Sequence, residues 1–321
     1  MDSTESRRSF VRKIFVASQA VVAGGWLPSS LLASVPETTT AGGVKFLVFG
    51  DWGRNGEADQ TQVAAQMSLV AKFLPARFIV SVGDNFYEDG VTSVQDPQWQ
   101  SSFEQVYAAP PLQVPWHVIL GNHDYHGNCE AQLAYAKTSP RWHLPARYYQ
   151  QTHRLDATTT ADFFFLDTTP MIEEYELDDQ MVPNIRSQDV PAQLDWFKKA
   201  LAASTAQWKV VFGHHPIYSG GQHGDTEELI KNILPLLHEY QVQVYFNGHD
   251  HDLQHLVADS LNLICSGAGS QVRATEVTGY TRFAQANSGF TSVNLTTAKM
   301  MIRMIDSAGR ELYATRILRN S

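Results

Sequence analysis

The chain has 321 residues, 43% of them apolar and 18% charged, enough to bury a sizeable core in one large domain. Its formal net charge of −9 disfavours nucleic acid as a partner, and its two cysteines exclude a disulfide framework or a thiolate zinc cluster. Whether Cys129 and Cys265 pair with each other stays open, because pairing depends on geometry.

In chain order, "SRRSFVRK" at residues 6–13 leads into the uncharged run "IFVASQAVVAGGWLPSSLLASV", which has the form of a bacterial twin-arginine signal peptide. Glycines, serines and a proline make that run too weakly apolar for a stable membrane anchor. Residues 1–42 are therefore assigned to signal and linker and 43–321 to one folded domain. A periplasmic or secreted location is expected, reached through the twin-arginine export machinery. Beyond the linker "PETTTAGG", apolar runs at 45–50, 78–83, 116–121, 163–167, 208–213 and 242–248 read as buried strands. Helical patterns at 58–74, 96–107, 129–137, 191–203 and 226–239 fall between most of them. That alternation predicts an α/β fold with largely parallel strands and right-handed crossovers. The tail ("NLICSGAG", "FTSVNL", "KMMIRMID", "ELYATRIL") predicts short strands in an antiparallel portion, and 170–190 reads as one long irregular acidic loop.

Twelve histidines are a compositional excess, and the polar residues able to bind metal follow the strands. They are Asp51 in "FGDWG", Asp84 and Tyr87 in "GDNFY", Asn122 and His123 in "GNHD", His214 in "FGHHP", and His249 and His251 in "NGHDH". Loops at the carboxyl ends of strands in an α/β sheet line one crevice, so five separate motifs are expected to converge. Singly, "GD" reads as a turn with a capping aspartate and "GNHD" as a loop with side-chain to backbone bonds. Together, each after an apolar strand and a glycine, they point to a metal centre.

This ordered set resembles the calcineurin-like metallophosphoesterases. Tyr87, with "AQLAYAKTSPRWHLPARYY", "GHHPIYSGGQHG", "NGHDHDLQHL" and "LICSGAGS", narrows the resemblance to the small purple acid phosphatases of the mammalian, tartrate-resistant type. The resemblance implies a single-domain β-sandwich of mixed sheets flanked by helices. It implies an acid phosphatase that hydrolyses phosphate monoesters, with a hydroxide activated by a dinuclear metal centre as nucleophile. Asp51, Tyr87 and His251 would hold a ferric ion, Asn122, His214 and His249 a divalent ion (iron, zinc or manganese), and Asp84 would bridge them. His123 and His223 would handle phosphate and protons. A phenol, with a pKa of about 10, is a poor ligand for ordinary divalent ions, so Tyr87 suits the trivalent one. Small phosphate monoesters are the expected substrates, with phosphoproteins and nucleotides as further candidates. The alternative is a phosphodiesterase or nucleotide pyrophosphatase using the same two ions.

The chain departs from the family pattern in two places. His215 stands where relatives commonly carry an aromatic residue, and the 170–190 loop differs from the family's exposed loop. His117, His143, His153 and His238 match no metal motif and are read as structural or solvated. His126 and His255 lie near "GNHD" and "GHDH" and are candidates to support ligands. Trp52 and Phe86 are expected to pack beneath the site.

Overall fold

The computed structural model describes residues 43–319, so the twin-arginine segment and its linker lie outside the described residues. The chain begins with β1 (Val44–Phe49), α1 (Gln60–Phe73), β2 (Phe78–Ser81), β3 (Trp116–Val118), α2 (Asn122–His126), α3 (Cys129–Tyr135) and β4 (Trp142–His143). It continues with β5 (Tyr149–Arg154), β6 (Thr160–Phe165), α4 (Val182–Ile185), α5 (Val190–Ala203), β7 (Trp208–Phe212), α6 (Glu227–Asn232), α7 (Leu234–Glu239) and β8 (Val244–Asn247). The last strands are β9 (Leu253–Ala258), β10 (Leu261–Ser266), β11 (Thr281–Gln285), β12 (Gly289–Leu295), β13 (Lys299–Asp306) and β14 (Glu311–Leu318).

These strands form two seven-stranded mixed sheets, ordered β14-β13-β12-β1-β2-β3-β4 and β11-β9-β10-β8-β7-β6-β5. Each holds a parallel block, β1 to β4 in one and β6-β7-β8-β10 in the other. The sandwich follows from strand period. In the "FFF" run of β6, Phe163 and Phe165 face the other sheet, while Phe164 points outward and packs under Phe197 of α5. Phe46 of β1 meets Phe163 at 5.3 Å and Phe246 of β8 at 6.5 Å, closing the core between the sheets. The outer face of the second sheet is covered by α5, α6 and α7 through Leu201, Leu229 and Leu237.

Several expectations need correction. The helix expected at 226–239 is two helices, because Pro235 opens α7 and cannot donate its backbone N–H to a continuing helix. The pattern at 96–107 becomes a wide π-helical stretch, Trp99–Glu104, in which Trp99 stacks flat on Tyr135. "NLICSGAG" pairs antiparallel with β9 but lies in the second sheet, apart from β12 to β14. It forms β10, which pairs in parallel with β8 in the second sheet. The 170–190 segment is less irregular than its composition predicts, holding two 3-10 turns and α4. Strands β4, β5, β9 and β11 were not among the sequence expectations. Cys129 and Cys265 are both free and buried.

Candidate metal centre

The parallel strands end where the motifs begin. Asp51 follows β1, Asp84 and Tyr87 follow β2, Asn122 follows β3, His214 follows β7, and His249 and His251 follow β8. Asp51, Asp84 and His249 take the left-handed backbone region, with φ of 62°, 50° and 68°, which a side chain with Cβ enters only at a cost. Such turns drive the chain sharply back over the strand end, and the loops then bond to one another. Asp51 N donates to Gly83 O at 3.0 Å and Gly248 N to His214 O at 3.0 Å. The glycines of the motifs are sites of close approach. A Cβ on Gly121 would strike the Asp84 carboxylate, and one on Gly248 would strike that of Asp51.

All seven sequence-proposed ligands come together, and they fall into two clusters. In the first, Tyr87 Oη lies 2.8 Å from Asp84 Oδ2, 3.1 Å from Asp51 Oδ1 and 3.1 Å from His251 Nε2. In the second, Asn122 Oδ1 lies 3.1 Å from His214 Nε2 and 3.0 Å from His249 Nδ1. Asp84 spans them, its Oδ1 standing 3.4 Å from His214 Nε2 while Oδ2 faces Tyr87. His214 donates its Nδ1 proton to Val82 O at 2.8 Å, which fixes the ring with Nε2 aimed into the site.

The donor set fits a pair of cations. Tyr87 has one proton for two carboxylate oxygens within 3.1 Å, with His251 Nε2 at 3.1 Å besides, so with both acids ionised one carboxylate contact sets lone pair against lone pair. Spacings near 3 Å are those of neighbouring ligands around a six-coordinate ion with bonds of about 2.1 Å. Electrostatics agree. Burial, then repulsion between the acids, pushes Asp51 and Tyr87 well above their usual ranges in the protein alone. Burial also opposes ionisation of Asp84, but the neighbouring His214 outweighs it and holds that carboxyl well below its usual range. Cationic charge in the crevice would favour the ionised forms of Asp51 and Tyr87.

His123 adjoins the first cluster and His223 the second. The His123 ring stands 4.4 Å from that of Tyr87, and its backbone N–H donates to Asp84 Oδ1 at 2.9 Å. His223 is exposed, and its ring lies 3.9 Å from that of His249. His215 joins His214 and His249 in one buried group, but Thr168 Oγ1 at 2.9 Å and Tyr175 Oη at 3.1 Å occupy both its nitrogens, so it supports rather than ligates. Trp52 and Phe86 are fully buried below the loops, and Trp52 Nε1 donates to Ser81 Oγ. His126 pairs with Asp178 at 3.1 Å beside His123. His255 bonds Tyr313 and Asn262 instead and supports no ligand.

Four residues at the site were not singled out from the sequence. Arg54 lays its guanidinium 3.7 Å over the Tyr87 ring and pairs with Glu88, a cation–π contact that favours an electron-rich ring. Asp250, buried between two candidate ligands, accepts the His223 N–H at 2.9 Å. Arg273 Nη1 donates to His223 Nε2 at 2.6 Å. Tyr175 reaches His215 from the acidic segment. Arg54, directly after "GDWG", and Asp250, inside "GHDH", carried a sequence signal; Tyr175 and Arg273 depend on contacts 40 and 50 residues apart in sequence.

The family model for calcineurin-like phosphoesterases matches residues 44–253. Purple acid phosphatase 3 of Arabidopsis thaliana is 39% identical over 291 residues, covering 85% of this chain and 77% of that protein. The tartrate-resistant acid phosphatase type 5 of Sus scrofa is 36% identical over 298 residues, covering 87% and 88%. Among solved structures, GAP50, described as the anchor in the inner membrane complex of Plasmodium, superposes with a TM-score of 0.78 at 25% identity, covering 87% of this chain and 90% of that one. The chain therefore belongs to the calcineurin-like phosphoesterases and, within them, to the purple acid phosphatases, metal-dependent phosphomonoesterases built around a dinuclear metal centre.

Proposed function

We propose that this protein is an exported acid phosphatase, with Asp51, Tyr87 and His251 holding a ferric ion, Asn122, His214 and His249 holding a divalent ion, and Asp84 bridging. The observation that carries this reading is the Tyr87 oxygen, packed in one buried cluster within 3.1 Å of two carboxylate oxygens and a histidine nitrogen. Two bound cations would neutralise the charge of a phosphate monoester and lower the pKa of water at the site. The chain's own residues do the rest. His123, whose backbone N–H bonds Asp84, and His223, whose backbone N–H bonds Asp250, are the side chains assigned to meet a phosphate over the two clusters. His223, which is exposed, is assigned the role of giving a proton to the departing alcohol oxygen. Arg54 over the Tyr87 ring supports the phenolate form required beside a trivalent ion. Export rests on the twin-arginine segment of the sequence, and among the described residues no helix is long and apolar enough to cross a membrane.

Turnover of p-nitrophenyl phosphate and of its bis ester by one metal-replete preparation tests the reading. A strong preference for the monoester supports it, and a preference for the diester overturns it in favour of a phosphodiesterase. Metal analysis with a visible spectrum of the same sample tests the assigned metal pair.

A further inference from the structure

Asn122 and His214 meet in the second cluster although they follow strands of different sheets, β3 in the first and β7 in the second. No strand ladder fixes their 3.1 Å separation. The ring of His214 reaches the first sheet at Val82 O, and a second bridge, made of buried side chains, joins the two elements. It centres on Asp167, just past β6. Tyr125 Oη, on the helix α2 that Asn122 opens, donates to Asp167 Oδ2 at 2.5 Å. Among the described residues this is the one hydrogen bond that the Asp167 carboxylate accepts, Oδ1 having no partner and Arg147 Nη1 standing off at 3.8 Å. Thr168, next in the chain, takes the other side. Its Oγ1 accepts the backbone N–H groups of His214 and His215, each at 3.2 Å. Gln193 of α5 clamps the node, accepting from Asp167 N–H at 2.9 Å and donating to Asp167 O at 3.0 Å.

We propose that Asp167 is a positioning residue for the divalent ion, holding α2 through Tyr125 and the loop after β7 through Thr168, and so setting the spread between Asn122 and His214. The inference rests on the two-ion assignment in the phosphatase reading above. Its bias towards one ion follows from what the bridge touches. Asp51, Tyr87 and His251 make no hydrogen bond to Tyr125, Asp167 or Thr168 among the described residues. On that side α2 is tied by the neighbouring Asp124, whose carboxylate accepts from Gly121 N–H at 2.8 Å and from Asn85 N–H at 3.1 Å. Successive residues of a helix point about 100° apart, so Asp124 and Tyr125 anchor α2 in two directions. Releasing the Tyr125 anchor loosens Asn122 against His214 and leaves the Asp124 anchor in place. The bond is costly to lose, since its loss strips a buried carboxylate of its donor.

The test titrates Zn²⁺ against a competing chelator into the full protein loaded with iron, and reads the visible spectrum and the turnover of p-nitrophenyl phosphate on the same sample. Tyr125→Phe removes only the hydroxyl. It should weaken Zn²⁺ binding by about tenfold to a hundredfold, while the iron content and the band of the Tyr87–ferric pair stay as in the wild type. Excess Zn²⁺ should then restore turnover. Thr168→Val, at the other end of the bridge, should weaken Zn²⁺ binding in the same way. Asp167→Asn still accepts the Tyr125 proton and should lose at most about threefold. Loss of both ions together, without rescue by Zn²⁺, would make the bridge a general support of the fold and overturn the proposal. Unchanged Zn²⁺ affinity in either folded variant overturns it too. A wild-type protein that binds both ions but turns over no ester would instead remove the phosphatase reading and keep the role of Asp167.

Discussion

Two groups of histidines lie a few residues apart along β3 and meet opposite fates. His117, on β3 itself, packs with His143 and His153 among Phe78 and Phe165, with ring centroids 4.8 Å from His143 and 5.0 Å from Phe78. Its Nδ1 has no hydrogen-bond partner. Burial, with the two neighbouring histidines, lowers its pKa to about 3, so it stays neutral. Just beyond the strand, Asn122 and His123 enter a crevice where histidines face two buried aspartates and a phenol. There His214 is raised to about 9 in the protein alone. Burial opposes this, but Asp84 and then Asp51 prevail. A histidine's role is set by what faces it. Apolar rings make a packing residue, and an excess of buried acceptors makes a cation site.

The largest expected effect breaks the crevice side. Asp84→Asn keeps the shape but removes the shared anion, and should cost at least about 10³-fold in kcat/KM together with most bound metal. Metal analysis of the purified variant checks it, and a variant with full metal content would refute the bridging role. His223→Ala should keep its metals and lose about 10²-fold or more on alkyl phosphates. The loss should be clearly smaller on an activated aryl phosphate, whose leaving group needs no proton. Equal losses on both would make His223 a substrate-positioning group instead.

Tyr87→Phe removes the phenolate and with it the charge-transfer band expected of a tyrosinate–ferric pair. A visible spectrum of the oxidised protein should lose that band while some hydrolysis survives, since Tyr87 moves no proton in the proposed reaction. A variant that keeps the band would show that Tyr87 is not a ligand.

The smallest effect sharpens the other side. His117 has a folded pKa below its unfolded value of about 6.5, so unfolding takes up a proton. Its neutral, packed form is fully available above pH 6.5, and stability drains away as pH falls towards 3, by about 2 kcal/mol at pH 5 from this residue alone. Arg77 and Asp162 bear on His153 in opposite directions, and burial outweighs both in holding it near 4. His117→Phe should therefore shift the acid-unfolding midpoint to lower pH in denaturation curves, whereas the same replacement at His214 should abolish metal binding. An unchanged acid midpoint would show that the packed cluster does not limit acid stability.

Much of this molecule was legible in the sequence because the relevant rules are local. Buried strands read as apolar runs, and the turns that end five of them are marked by a glycine followed by Asp, Asn or His. Those two signals located all seven candidate ligands and the α/β alternation, and a resemblance carried by the same motifs supplied the roles. Tertiary structure alone decided what depends on contacts distant in sequence. It placed β10 in parallel against β8, left the two cysteines apart, and gave both His215 nitrogens to Thr168 and Tyr175. It brought Asp250 and Arg273 to His223 across 27 and 50 residues. The physical reason is that hydrogen bonds and ion pairs act over a few ångströms in space regardless of chain separation. A sequence pattern records which groups can act, and the packing of the two sheets determines which of them meet.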